Sequence, residues 1–422
     1  MLGDRLADPA LGVGVGHPVA TEQHRLVVER QPGDLPTHRE ALEEQLRAPP
    51  PGVLDRGGLA GRRLADLGDR SAAERFAQGQ HVALGIGVVD RRDLLALAPF
   101  LLALRHHREF ASCASGRGRR RAKLDPVDEL VLIGVPIDSV GRDGGAELAP
   151  AALRDLGLAT AIGALDEGDL EVRVRGEQRD PATGILAGPD VLATTATIRT
   201  AVAEQIAAGR RPFLAGGCCA ELPGALAGAR DALGSVGLVH LDGHLDLYDG
   251  ETSPTGEAAD MPVSVALGLG PAGWVEAAGG ASVSGGRTAI VGFRDREESV
   301  EYGMRQPQDL EPTPLLRSAA ELRSEDPGTA AAEVAVQLGQ WGGFWLHVDV
   351  DVLDREVFPA TDYLMPDGLD WPQLRAALGP LLSSPALIGA SVACYNPEKD
   401  PDRACGRALV EALGAALAPK PG

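Results

Sequence analysis

Val236-Gly237-Leu238-Val239-His240-Leu241, followed at once by Asp242-Gly243-His244-Leu245-Asp246, decides the reading of this chain. Six residues so apolar, ending in charged ones, have the length and character of a buried strand in a parallel sheet. If the backbone stays extended past Leu241, side chains alternate, and Asp242, His244 and Asp246 project to one side. Two carboxylates and an imidazole then converge at the carboxyl end of a strand, where open α/β sheets place their ligands. Bare carboxylates packed together repel, so such a cluster calls for a cation.

A second stretch repeats the design. Phe344-Trp345-Leu346-His347-Val348 is another strand candidate, followed by Asp349, Asp351 and Asp354. Asp349 and Asp351 are two apart and share a phase. Two strands ending in alternating acids suit one or two hard or borderline divalent metals. Mixed oxygen and nitrogen donors favour Mn2+, with Zn2+, Fe2+, Co2+ or Ni2+ also admissible.

Asp-x-His-x-Asp, followed about a hundred residues later by Asp-x-Asp-x-x-Asp, resembles the arginase/agmatinase (ureohydrolase) family. The resemblance runs from about Val127 to Ala418. It implies a binuclear metal site in which Asp242 bridges two ions, His244 binds one and Asp246 the other. It also implies an eight-stranded sheet and a homo-oligomer, a trimer or hexamer. The chain departs from the family at three places. Gly216-Gly217-Cys218-Cys219 stands where the family has Gly-Gly-Asp-His, so Cys219 replaces a metal-binding histidine. A thiolate is a softer donor than manganese prefers. Three outcomes stay open: Cys219 ligates, water takes its place, or one metal is lost. Cys218 is read as a small buried residue. Cys394, in Cys394-Tyr395-Asn396-Pro397, stands where arginase and agmatinase carry a guanidinium-binding glutamate. A neutral thiol cannot supply paired, charge-assisted hydrogen bonds, which argues against arginine or agmatine as substrate. The loop Tyr248–Pro262, read as the substrate loop, lacks the histidine that assists proton transfer in arginases. Its polar residues include Glu251, Thr255 and Asp260. Asp260 is a candidate proton carrier, or else a cap for a helix from Met261.

The implied function is metal-dependent hydrolysis of a C–N bond in a linear amidine or guanidino compound by a metal-activated hydroxide. Asp242 and His244 act at the centre, and Asp354 acts from behind the ligands or beside the substrate. The metal ligands are Cys219, Asp242, His244, Asp246, Asp349 and Asp351. The substrate contacts are Glu251, Thr255, Asp260 and Cys394. The alternative is a catalytically altered or inactive arginase-fold protein that binds metal and a small ligand. Two further residues are assigned to structure. His240 is read as a core histidine and Arg294, in Gly292-Phe293-Arg294-Asp295, as a loop-orienting group.

Composition narrows the rest. The chain has 422 residues and a formal charge of −20. Residues 1–125 hold 19 Lys+Arg and 16 Asp+Glu, so the remainder, with 21 and 44, is strongly acidic. An acidic domain does not suit nucleic acid or an anionic membrane surface, and no stretch offers the ~20 apolar residues that span a bilayer. Five cysteines, two of them adjacent, do not form a disulfide framework. A reducing cytoplasm follows, with no signal peptide evident. Residues 1–125 contain three of the fifteen aromatics and show no steady period, so they are expected to be a weakly structured extension, artefactual if the start codon is placed too early. Within them, 37–46 and 72–78 suit short helices, 82–104 is apolar, and 116–121 is a basic link; His106-His107 is read as a solvated element end. From residue 126 to 422, strand and helix candidates alternate. The fold class is therefore α/β, three-layer α/β/α with a mainly parallel sheet.

Overall fold

The computed structural model describes residues 129–418. The expectations for 1–125, including the two short helices, the apolar stretch, the basic link and His106-His107, lie outside the described residues. Eight strands form one sheet: β1 (Leu130–Val135), β2 (Leu165–Asp169), β3 (Arg211–Gly216), β4 (Gly237–Leu241), β5 (Thr288–Val291), β6 (Leu315–Arg317), β7 (Phe344–Asp349) and β8 (Leu387–Ala393). Their order is β2-β1-β3-β8-β7-β4-β5-β6, and every pairing is parallel. The inner strands are apolar because both faces are covered.

Period-two alternation sorts the strand residues between two apolar layers. Val239, Leu241, Phe344, Leu346 and Val348 face one layer, built on helices Ala149–Asp155, Pro327–Gly339, Trp371–Leu382 and Ala404–Leu417. Leu238, Ile290 and Trp345 face the other, built on Gly188–Ala207 and Leu222–Leu233. The result is the three-layer architecture that the alternation of elements implies. Local chemistry sets several helix ends. Pro150 lies in the first turn of its helix, as its fixed φ favours. Asp370 and Gln373 form a capping box at the start of Trp371–Leu382.

Two close approaches fix the centre of the sheet. Trp345 pairs with Gly389 across β7 and β8. A Cβ on Gly389 would stand 2.4 Å from the Trp345 ring, so only glycine admits the indole. At the carboxyl edge, the Asn396 Nδ2–H donates to the Gly144 carbonyl at 2.9 Å. Gly145, at φ 107, leaves room for the same amide, which a Cβ would meet at 2.4 Å. The Gly-rich first loop thus packs against the Asn-Pro turn. Among the described residues, no helix is long and apolar enough to cross a membrane.

Candidate active site

The acids after β4 and β7 converge, but not by continued extension. Strand β4 stops at Leu241, where the chain bends. The His244 N–H donates to Asp242 Oδ1 at 2.7 Å, closing a short turn, and Asp246 sits in the left-handed region at φ 53. After β7, the Asp351 N–H donates to Asp349 Oδ1 at 2.8 Å and a turn of 3-10 helix follows. Side chain-to-backbone bonds thus replace strand alternation as the aiming device. The bends are braced from outside. The Gly243 N–H donates to Asp351 Oδ1 at 3.0 Å. The Arg294 guanidinium donates to the carbonyls of Asp351 (2.6 Å), Leu353 (3.1 Å) and Pro366 (2.9 Å). Arg294 is therefore structural, as read from its corner.

Four donor groupings result among the described residues, each with its ligand atoms within 4.8 Å of one another. Asp242, His244 and Asp351 form one, with His244 Nδ1 3.0 Å from Asp351 Oδ2 and 3.5 Å from Asp242 Oδ1. His240, Asp242 and Asp246 form the second. Cys219 joins Asp242 and His347 in the third, and Asp349 and Cys394 in the fourth. All six residues expected as ligands take part in at least one grouping. His240 and His347, in register on β4 and β7, stack with centroids 5.5 Å apart beneath the acids. His240 is fully buried, as a core histidine would be. Yet its Nε2 also lies 3.2 Å from Asp242 Oδ2 and 3.3 Å from Asp246 Oδ2. The pattern His-x-Asp at the end of both strands was the signal for this pair.

Burial and mutual proximity shift the ionisation of these groups in opposite directions. Burial, then the neighbouring acids, hold the carboxyls of Asp246 and Asp349 well above the usual range. Burial opposes ionisation of Asp351 too, but His244 beside it outweighs that and lowers its pKa. His244 is held well above its usual value: burial works against the charged ring, and Asp351 and Asp242 overcome it. Burial, then Cys394, raises the Cys219 thiol well above its usual range. The donor chemistry fits hard metals on one side and softer ones on the other. Asp242, His244 and Asp351 supply oxygen and nitrogen, which suit manganese, whereas Cys219 and Cys394 bring sulfur.

These groups border a cavity of about 120 Å³ lined by His244, Asp246, Asp349, Asp351 and Cys394, together with Thr255, Glu257, Asp260 and Tyr363. The loop 248–262 forms one wall. Asp260 does not cap the helix Pro262–Ala266; its carboxylate accepts from Ser253 Oγ (2.6 Å) and Thr255 Oγ1 (3.3 Å), and burial raises its pKa to about 7. Two expected residues lie elsewhere. Glu251 is exposed, its N–H bonded to Asp249 in a turn, and does not line the cavity. Asp354 binds the backbone N–H groups of Glu356 (2.9 Å) and Gly368 (3.2 Å), joins no donor grouping and does not line the cavity. Its carboxylate serves the loop. Sequence reading missed Tyr363, whose hydroxyl donates to Glu257 at 3.0 Å across the cavity. No local pattern marks it.

The sequence matches the arginase family over residues 128–418. It is 31% identical over 220 residues to N(omega)-hydroxy-L-arginine amidinohydrolase of Streptomyces lavendulae, covering 51% of this chain and 72% of that protein. It is 24% identical over 304 residues to an arginase of Brevibacillus brevis, covering 69% and 98%. Among solved structures, arginase from Bacillus caldovelox superposes with a TM-score of 0.62 at 21% identity, covering 70% of this chain and 99% of that one. Formimidoylglutamase from Bacillus subtilis gives 0.54 at 18%, covering 72% and 93%.

Proposed function

The chain belongs to the arginase family, and from that premise we propose that it is a metal-dependent hydrolase of a C–N bond in a linear amidine or guanidino compound. The observation that carries this reading is the convergence of Asp242, His244, Asp246, Asp349 and Asp351 at one sheet edge, with all but the buried Asp242 lining a cavity sized for a small molecule. Asp242, His244, Asp246, Asp349 and Asp351 would hold the metal, manganese at the Asp242, His244 and Asp351 grouping. When bound, a divalent ion lowers the pKa of a water so that it serves as nucleophile near neutrality.

The chain's own groups supply the rest. Amidinium carbon is resonance-stabilised, so its attack depends on positioning. Glu257 gives the cavity wall an acidic group that suits a cationic substrate, and Tyr363 holds it in place. Asp260, poised near neutrality, is suited to carry a proton to the leaving nitrogen. Cys394, facing the cavity where arginase and agmatinase carry a glutamate, removes the charged anchor for an arginine-type guanidinium and favours another amidine. The amidinohydrolase of Streptomyces lavendulae is named for a hydroxylated guanidino compound, which lies within the class proposed. A cytoplasmic setting that keeps the thiols reduced and a trimeric or hexameric assembly belong to the same proposal. The second reading, a metal and ligand binder without turnover, draws on the two thiols and on the absence of a histidine from the loop 248–262.

The test is urea or ammonia release from a panel of guanidino and formimidoyl compounds by Mn2+-loaded protein. Release that Asp351→Ala abolishes supports the hydrolase. Stoichiometric metal with no release from any compound favours the binder.

A further inference from the structure

Two thiols meet in the deeper half of the site, and the family pattern explains neither. Cys219 Sγ lies 3.6 Å from Cys394 Sγ and 2.7 Å from Asp349 Oδ2. Cys219 follows β3, Cys394 follows β8, and both are free thiols. Their meeting is fixed by backbone. Cys394 holds φ 68, a left-handed conformation costly for a residue with a side chain. Its N–H donates to the Gly217 carbonyl at 2.9 Å, tying the two strand ends together.

The spacing is that of ligands around one ion. Zinc holds thiolates tetrahedrally at ~2.3 Å, which sets two sulfurs about 3.8 Å apart. A disulfide requires about 2.05 Å, far from the spacing present. The Asp349 oxygen would need to withdraw by under ~1 Å to share an ion with Cys219. A hydrogen-bond chain supports the sulfur from behind. The Trp345 Nε1–H donates to Ser391 Oγ at 2.9 Å, and that oxygen lies 2.7 Å from His347 Nδ1. If the Ser391 hydroxyl donates its hydrogen bond to Nδ1, the neutral ring carries its hydrogen on Nε2 and donates to Cys219 Sγ, 3.1 Å away. A thiolate ligand is stabilised by such a donor.

We propose that Cys219, Cys394 and Asp349 form a thiophilic metal subsite that takes Zn2+ in preference to Mn2+, beside the oxygen- and nitrogen-donor grouping of Asp242, His244 and Asp351. The inference rests on the reading of this cavity as a metal centre, and not on turnover. It gives Cys394 a ligand's role in place of the substrate contact expected of its position, and it makes the centre a mixed one.

The experiment uses the full chain, reduced with a phosphine, stripped of metal and titrated with Co2+. Thiolate ligation gives an intense sulfur-to-cobalt charge-transfer absorption in the near ultraviolet that oxygen and nitrogen ligands do not. The wild type should show the band. Cys394→Ser should lose about half of it and Cys219→Ser with Cys394→Ser all of it, while His244→Ala keeps it. Zn2+ should abolish the band at concentrations at least ~100-fold below those at which Mn2+ does. X-ray absorption at the zinc edge of the wild type, which needs no variant to fold, should find two sulfur neighbours. No band, no sulfur scatterers, or equal displacement by Mn2+ would overturn the proposal. Amidine turnover measured in parallel separates the two readings. Turnover with Mn2+ and no band leaves the hydrolase standing without the subsite; a band without turnover does the reverse.

Discussion

Replacing Asp260 with asparagine isolates one buried charge. Burial, the largest influence on this carboxyl, raises its pKa from 3.8 to about 7 against the opposing hydrogen bond from Ser253. The folded chain thus binds the proton more tightly than the unfolded chain does. The associated stability is fully present below the unfolded value, 3.8, and is lost as pH rises through about 7. A displacement of that size corresponds to a ceiling of about 4 kcal/mol. Asp260 keeps partial exposure to the cavity, and solvent relaxation there reduces the expectation to about 2 kcal/mol. Asparagine retains an oxygen for Ser253 and never ionises. Urea unfolding of metal-free wild type and Asp260→Asn, at intervals from pH 4 to 8, measures the difference between them. Other groups titrate in the same range, but they largely cancel in the comparison. The variant should gain about 2 kcal/mol relative to wild type between pH 4 and 8, the gain accruing steadily from about pH 4 to 7 and levelling off above that. A difference that stays flat with pH would refute the argument that this carboxylate is held protonated by burial.

Three further outcomes follow from the geometry. Asp351→Ala removes an oxygen donor and the acceptor for the Gly243 N–H, so amidine turnover should fall at least ~100-fold, read by urea or ammonia release. Arg294→Ala deletes the bonds to the carbonyls of Asp351, Leu353 and Pro366 and should cost about 3 kcal/mol in urea unfolding, with weaker Mn2+ binding by calorimetry. Gly389→Ala drives a methyl into the Trp345 ring at the centre of the sheet and should destabilise by ~3 kcal/mol, visible as a lowered Tm and a changed tryptophan fluorescence.

The inner strands were legible because burial on both faces writes an apolar run with abrupt polar ends. The two edge strands were not. Leu165-Asp166-Glu167-Gly168-Asp169 carries three acids and a glycine, a poor strand by propensity. It is held by pairing with β1 and by Arg154, which binds Asp166 and Asp169. β6 has three residues, too few to show a period. The ligand set was legible as residue types, but the mechanism of its convergence was not. Alternation was the expected device, and local carboxylate-to-amide turns at Asp242 and Asp349 are the actual one. Asp354 and Glu251 shared the motif's neighbourhood and its chemistry, yet the Asp354 carboxylate bonds loop amides and Glu251 lies outside the cavity lining. Tyr363 and the packing of Cys394 on Cys219 depend on residues more than a hundred positions apart meeting at one sheet edge, which no local pattern encodes.

The donors on β3, β4, β7 and β8 come from strands adjacent in the sheet yet separated by up to 175 residues along the chain. The site therefore exists only after four distant segments have registered, late in the assembly of a parallel sheet whose contacts are mostly non-local. An ion held there would act as a rivet at the last seam to close, favouring the assembled sheet over any partly built one. Chelation should then speed amide exchange along β7 and β8 first, while β2 at the rim stays as it was.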